Sequence, residues 1–404
     1  MSLEIDVFNP SSYPRGGAVA VPWQPIEKEI GGNAFQLLDG NRYSVPAQVD
    51  RIDPADPSLD TLAFSLPSEL APGPDDYSRA SAAVFLDAGA GPRSEVEPRA
   101  PAPAVSPNRV ELSSGVLTVS LSLAPCQDGT NHNWFAGSAQ SVRLGAIETL
   151  DVWRSLLPFI EHDPEKRCMQ IDQVRLSRPA WDELPEQEVD LHDQPYRLLS
   201  FCSGPVRESC TIMSPPFEYV YGDPFGRSRE TLVCNFFRTL ILYRGADFVL
   251  ENLWMKGRPG DGQGEPADLT FSARYFTNMH LGNDPVVYRL ENVPDWFAIG
   301  YPEGRVHPGY GFATDVHARH LRHPHPGYPD AENAYRTFSF ELHPAKKARC
   351  LHLFHVSGAV PAEHRERLGG PVPVDPVEHR AGHLWYEQIY KPLGGRAHAG
   401  ATGL

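Results

Sequence analysis

Forty prolines and 34 glycines are spread along 404 residues, leaving few stretches long enough for a helix of ordinary length. Between them lie short runs in which large apolar residues alternate with polar ones, the period of a half-buried strand. RVELSSGVLTVSLSL (109–123) holds two such runs around Ser113, Ser114 and Gly115. TLILYRGADFVLENLWM (239–255) reads as a hairpin with Gly245 in its turn, and FSFELHPAKKARCLHLFHVSG (338–358) has the same layout around PAKKA. ADLTFSARYFTNMHL (267–281) alternates Phe271, Ala273 and Tyr275 against Ser272 and Arg274. The best helical candidate is GAIETLDVWRSLLPFIE (145–161), with Leu150, Trp153, Leu157 and Ile160 in helical spacing and Pro158 interrupting it. A second short helix is expected around Trp385, Tyr386 and Tyr390. The fold class expected is all-β with few short helices.

The segment 88–109, AGAGPRSEVEPRAPAPAVSPNR, is rich in Ala and Pro and poor in large apolar residues, the composition of a stiff linker. It divides the chain into a small β domain (1–88), a linker (89–108), a large β-sandwich domain (109–393) and a flexible tail (394–404). At 41% hydrophobic residues the chain can bury full-sized cores. Fifty-one acidic residues against 36 basic ones give a formal charge of −15, which disfavours nucleic acid as a partner because phosphate neutralisation needs clustered Lys and Arg. No run of about 20 apolar residues marks a membrane span, and the polar N-terminus lacks a signal pattern. The expectation is a cytoplasmic protein, or a secreted one if a signal has been removed. The six cysteines show no CxxC spacing and read as buried free thiols, with a Cys202–Cys210 pair as the alternative.

In the first domain GGAVAVPWQPI precedes FQLLDGNRYSVPAQVDRID and TLAFSLPSELAPG. This order of a "VP" segment, a "DG…VPAQV" segment and an "L…PG" run resembles the small N-terminal β-barrel of exo-acting rhamnogalacturonan lyases of the YetA-like type. RVELSSGVLTVSLSL resembles the first strands of a galactose-mutarotase-like super-sandwich, and DGTNHNWFAG (128–137) is similar to the TNH-x-YF segment of aldose epimerases. The resemblance covers about a quarter of the chain and implies a small barrel followed by a mutarotase-like β-sandwich acting on carbohydrate. The helical toroid of the larger lyases does not fit in the remaining length, and its catalytic residues have no counterparts here.

Several constellations suit such chemistry. Asn131, His132, Asn133 and Trp134 put amides, an imidazole and an indole on one short loop: amides bond sugar hydroxyls, an indole stacks on a ring face, and imidazole moves protons near neutral pH. The plainer reading is a turn whose Asn side chains cap their own backbone. Arg274, Tyr275 and His280 supply what a uronate β-elimination needs, a cation on the carboxylate and a base for the adjacent proton. Arg274 and Tyr275 alternate along an ideal strand, so they converge only near a bulge or strand end. VHPGYGFATDVHARHLRHPHPGY (306–328) reads as a long loop or loosely held strand in which Tyr310, His317 and His320 border a sugar cleft. His323 and His325, separated by a proline, are bystanders. Zinc or calcium at these histidines is the alternative to the expected absence of a cofactor, because no HExxH-type spacing supports a metal. His352 and Phe354 share a face, while His355 aligns with Leu351 and Leu353, a pattern of core rather than ligand for His355. Asp223, Arg227, Arg229, Glu230 and Arg238 form a charged cluster read as pairing internally.

The function expected from these residues is a soluble carbohydrate-active lyase cleaving a uronate-containing glycan by β-elimination. His132, Arg274, Tyr275 and His280 are the catalytic candidates, and Asn131, Asn133, Trp134, Tyr310, His317 and His320 the substrate contacts. The alternatives are a glycoside hydrolase with paired carboxylates among Glu218, Glu251 and Glu341, and a non-catalytic glycan-binding protein.

Overall fold

A computed structural model describes residues 2–8, 17–31, 35–66, 81–88, 108–127, 133–134, 136–149, 169–177, 187–191, 194–222, 229–259, 270–277, 286–288, 296–300, 307–314, 318–323, 335–342 and 348–357. They form antiparallel sheets with one α-helix and one short 3-10 turn among the described residues, so the fold class is all-β. The chain divides into two compact units, Met1–Ala102 with Leu199–Thr211, and Pro103–Leu198 with Ile212–Leu404. Most of the expected linker, the helix candidate beyond Thr149, the C-terminal helix candidate and the tail lie outside the described residues. At the described start of the first helix candidate, Gly145 and Ala146 form a turn and Ile147–Glu148 a short strand.

In the first unit, Ser2–Phe8, Ser81–Ala88 and Phe35–Leu38 form one three-stranded sheet, and Ala18–Pro22, Thr61–Ser65 and Ala47–Asp50 another. The helix Trp23–Ile30 buries Trp23, Ile26 and Ile30, one stripe at helical spacing. Gly31 ends it at φ 64, its N–H bonded to the Glu27 carbonyl. The stripe packs with Leu37, Val45, Ala47, Leu62 and Phe64, each fully buried side chain contributing roughly 1.5–3 kcal/mol. The segment Leu199–Thr211, distant in sequence, joins this unit through Gln48. The amide oxygen of Gln48 accepts the N–H groups of Val206 and Arg207, and its nitrogen donates to the Arg207 carbonyl and to Asp50. Gln48 lies so close to Gly204 that a Cβ there would overlap its side-chain oxygen. Asp50 in turn accepts from Arg207 Nε at 2.6 Å and from Ser209, so the buried guanidinium is neutralised where it lies.

In the second unit, Arg109–Ser113 and Leu117–Ser122 form the expected hairpin and continue into Ala139–Leu144 and Ile147–Glu148. Arg229–Tyr243 and Phe248–Pro259 form the second expected hairpin. The third does not form. Tyr335–Leu342 pairs with Thr270–Thr277 and Ala318–His323, whereas Ala348–Ser357 pairs with Phe248–Pro259 and His307–Thr314. The two strands belong to different sheets: local alternation identifies a strand but not its partner, and PAKKA carries no tight-turn residues to enforce pairing.

Candidate functional site

One sheet of the second unit runs Gln187–Asp190, Gln170–Ser177, Thr270–Thr277, Tyr335–Leu342, Ala318–His323. Its register divides the residues into two sets of alternating cross-strand rows, and alternate rows of a pleated sheet belong to opposite faces. One set is largely apolar. It includes Val189, Val174, Leu176, Phe271, Ala273, Tyr275, Phe338, Phe340, Leu342 and Ala318. The other is largely polar: one row reads Gln173, Arg274, Ser339, Arg319, and another Glu188, Arg175, Ser272, Glu341. From strand spacing and rise, Glu341 stands about 8 Å from both Arg274 and Arg319 in Cα position.

A bulge interrupts the ladder beside Arg274. Ile171 pairs with Tyr275 and Gln173 with Arg274, leaving Asp172 as the extra residue. The strand Thr270–Thr277 is continuous against its other neighbour, where Arg274 meets Ser339 and Tyr275 meets Phe338. Arg274 and Tyr275 therefore occupy alternate rows, and the bulge lies on the facing strand. Asp172 and Arg319 carry no local signal, because their place depends on register between strands.

The other expected residues fall as follows. Tyr275 and His320 share one row, on either side of Phe338, about 10 Å apart. Tyr310 lies in the other large sheet, between Ile299 and Phe354. Asn133 and Trp134 pair with Gln127 and Cys126 in a two-stranded ribbon. Asn131, His132, His280, His317 and His325 lie outside the described residues. His320 and His323 belong to a regular strand rather than a loop, and they fall in different row sets. No group of three metal-binding side chains occurs among the described residues. The three glutamates occupy different strands: Glu218 is exposed beside Val233, Glu251 is buried in another strand of that sheet, and Glu341 is in the five-stranded sheet.

Glu251 belongs to a sealed ionic cluster. Leu240, Glu251 and Cys350 form one row, and Arg238 and His352 stand two residues away on the flanking strands, so all three charged or titratable residues share a face. Arg238, Glu251 and His352 are each 0% exposed. Arg238 Nε donates to Glu251 Oε1 at 2.5 Å, while its two terminal nitrogens donate to the Gly137 and Met169 carbonyls. His352 Nε2 lies 3.0 Å from Glu251 Oε2. Burial alone would raise the Glu251 carboxyl, but the Arg238 charge and the His352 hydrogen bond outweigh it and bring it down to about 2. With Glu251 ionised, His352 Nε2 carries the proton and donates it to the hydrogen bond. Burial lowers the His352 imidazole pKa, and Glu251 offsets part of that effect. Tyr196 packs beside this cluster, its hydroxyl raised to about 12 mainly by burial. A carboxylate held ionised and shut off from solvent cannot protonate a leaving group, so the cluster ties the fold together. Arg238 therefore pairs outside the charged cluster expected from the sequence, with Glu251 rather than with Asp223 or Glu230; Asp223 and Arg227 lie outside the described residues.

No known family and no curated protein matches the chain. Two solved structures resemble it in outline. One is an alpha-mannosidase from Enterococcus faecalis V583, with a TM-score of 0.46 and 10% identity over 90% of this chain and 44% of that one. The other is a protein in the glycosyl hydrolase family 38 from Enterococcus faecalis, with a TM-score of 0.47 and 10% identity over 88% of this chain and 44% of that one. The chain thus spans less than half the length of either structure.

Proposed function

We propose that this chain is a carbohydrate-active enzyme whose glycan lies across the polar row set around Arg274, and that hydrolysis is favoured over β-elimination. The observation that supports it is the register, which gathers Arg175, Ser272, Arg274, Arg319, Ser339 and Glu341 from four strands onto alternating rows, with apolar rows between them. Arginines and hydroxyls are donors suited to sugar hydroxyls, and Phe276 and Tyr335 in the same set offer rings for stacking. Elimination with Tyr275 as base needs Arg274 and Tyr275 on one face, and their alternate rows work against it; the other candidate base, His280, lies outside the described residues. Hydrolysis needs two carboxylates, and Glu341 with the bulge residue Asp172 supplies them at roughly 13 Å between Cα positions. That backbone spacing is compatible with the roughly 6.5–9.5 Å between carboxyl groups of an inverting pair. Glu341 serves as base and Asp172 as acid. No cofactor takes part.

The test is incubation of the full chain with soluble glycans, neutral and uronate-containing, with reducing ends and near-ultraviolet absorbance followed together. New reducing ends without absorbance, abolished by Glu341→Gln and by Asp172→Asn, are expected. Absorbing unsaturated products would overturn hydrolysis in favour of elimination through Arg274, Tyr275 or His280. Binding without turnover would leave a glycan-binding protein.

A further inference from the structure

The strand Phe35–Leu38 of the first unit runs into a turn, Asp39–Tyr43, and Tyr43 is 71% exposed, the large hydrophobic residue left in solvent among the described ones. The turn is tightly held. Arg42 N–H donates to the Asp39 carbonyl at 2.9 Å, and Asp39 N–H to the Tyr43 carbonyl at 2.8 Å. The Asp39 carboxylate accepts the N–H groups of Asn41 and Tyr43 at 2.9 and 2.8 Å. These bonds keep Arg42 in the left-handed region at φ 68, a conformation that a non-glycine residue holds only when its surroundings fix it. An aromatic ring on a fixed backbone loses little freedom on binding, the property that makes rigid aromatics effective anchors.

We propose that the Asp39–Ser44 turn is a second glycan contact, with Tyr43 stacking on the apolar face of one pyranose ring and Asn41 and Ser44 meeting its hydroxyls. The inference rests on the glycan reading of the second unit and extends it to the first. Size decides between a sugar and a protein partner. A stable protein interface covers about 800 Å² on each side with an apolar centre, whereas here, among the described residues, one ring is bordered by the exposed residues Gly40, Asn41, Arg42 and Ser44. A single ring with polar edges matches a single sugar.

The experiment is affinity electrophoresis of the full chain through gels containing polygalacturonate, mannan, xylan or pullulan, with Tyr43→Ala and Tyr43→Phe compared on the best ligand. Tyr43→Ala, at an exposed position, keeps the melting temperature, so retardation is read on folded protein. About tenfold weaker retention for Tyr43→Ala, equivalent to about 1.4 kcal/mol, with Tyr43→Phe within about twofold of the parent, supports the contact. Unchanged retention in Tyr43→Ala overturns the contact while leaving the glycan reading intact. A parent chain that none of the four polysaccharides retards overturns the glycan reading and the contact with it. Altered sedimentation of Tyr43→Ala with unchanged retention overturns the contact in favour of a protein interface.

Discussion

Replacing Glu251 by Gln keeps the shape of the buried cluster and removes its negative charge. Arg238 is then left as a buried cation whose Nε has lost its ionic partner, while its other nitrogens still bond to the Gly137 and Met169 carbonyls. Breaking a buried pair by deleting one charge costs about 3–5 kcal/mol. The titration of Glu251 gives a similar size by a separate route. Its carboxyl falls from 4.5 to about 2 in the folded protein, which is worth on the order of 3 kcal/mol at about 1.4 kcal/mol for each pH unit. A lowered carboxylate contributes stability that is complete above the unfolded value of 4.5 and is lost as the pH falls toward 2. The Glu251→Gln variant lacks that contribution at every pH. Urea unfolding at pH 7, 5, 4 and 3 should therefore show the variant weaker by about 3–5 kcal/mol at pH 7 and 5, with the gap narrowing at pH 4 and 3. His352 acts in the same direction at higher pH. Its pKa is lowered from 6.5 by burial, so the unfolded chain takes up a proton that the folded chain refuses, and stability falls as the pH drops below 6.5. Replacing His352 by Gln should flatten this part of the profile. A gap between parent and Glu251→Gln that stays constant from pH 7 to pH 3, or a variant as stable as the parent, would refute the reasoning.

Other consequences follow from the same packing. Gly137 has φ 74, and a Cβ there would stand 3.1 Å from the Tyr196 ring and 3.2 Å from an Arg238 nitrogen. Gly137→Ala should lower stability by about 1–3 kcal/mol, read as a fall in the urea midpoint with an unchanged slope. The buried thiols of Cys202 and Cys234, pushed up to about 11 and about 12 chiefly by burial, should resist a thiol reagent at pH 8 until the chain is unfolded.

The strands were legible because alternation is local: the segments at 109–123, 239–255 and 270–277 each show their period within a few residues. Partners were not. The segment 338–358 has the layout of a hairpin, yet its two strands serve different sheets, and nothing within twenty residues carries that information. The candidate site follows the same logic. Arg274 and Glu341 both stood out in the sequence, but their sharing of a row set, and the entry of Asp172 and Arg319, depends on pairings between residues 20 to 101 apart in sequence. The ionic cluster was not legible. Neighbours of both parities are buried around His352 (Leu351, Leu353, Phe354) and around Arg238 (Phe236, Phe237, Thr239, Leu240), so alternation marks neither residue. Their common partner Glu251 emerges only once three strands are aligned. The short helix Trp23–Ile30 went unread behind Pro22 and Pro25, although the spacing of Trp23, Ile26 and Ile30 before Gly31 carries its signature.

The central claim is that the chemistry belongs to the polar rows of the five-stranded sheet and the sealed cluster to stability. The most direct measurement compares Glu341→Gln with the parent on the glycan that the parent cleaves, with kcat and Tm recorded on the same preparations. Loss of a base costs about 10²–10⁴ in rate. The account predicts a kcat reduced at least about a hundredfold with Tm unchanged. A Glu341→Gln variant that turns over as fast as the parent would contradict it.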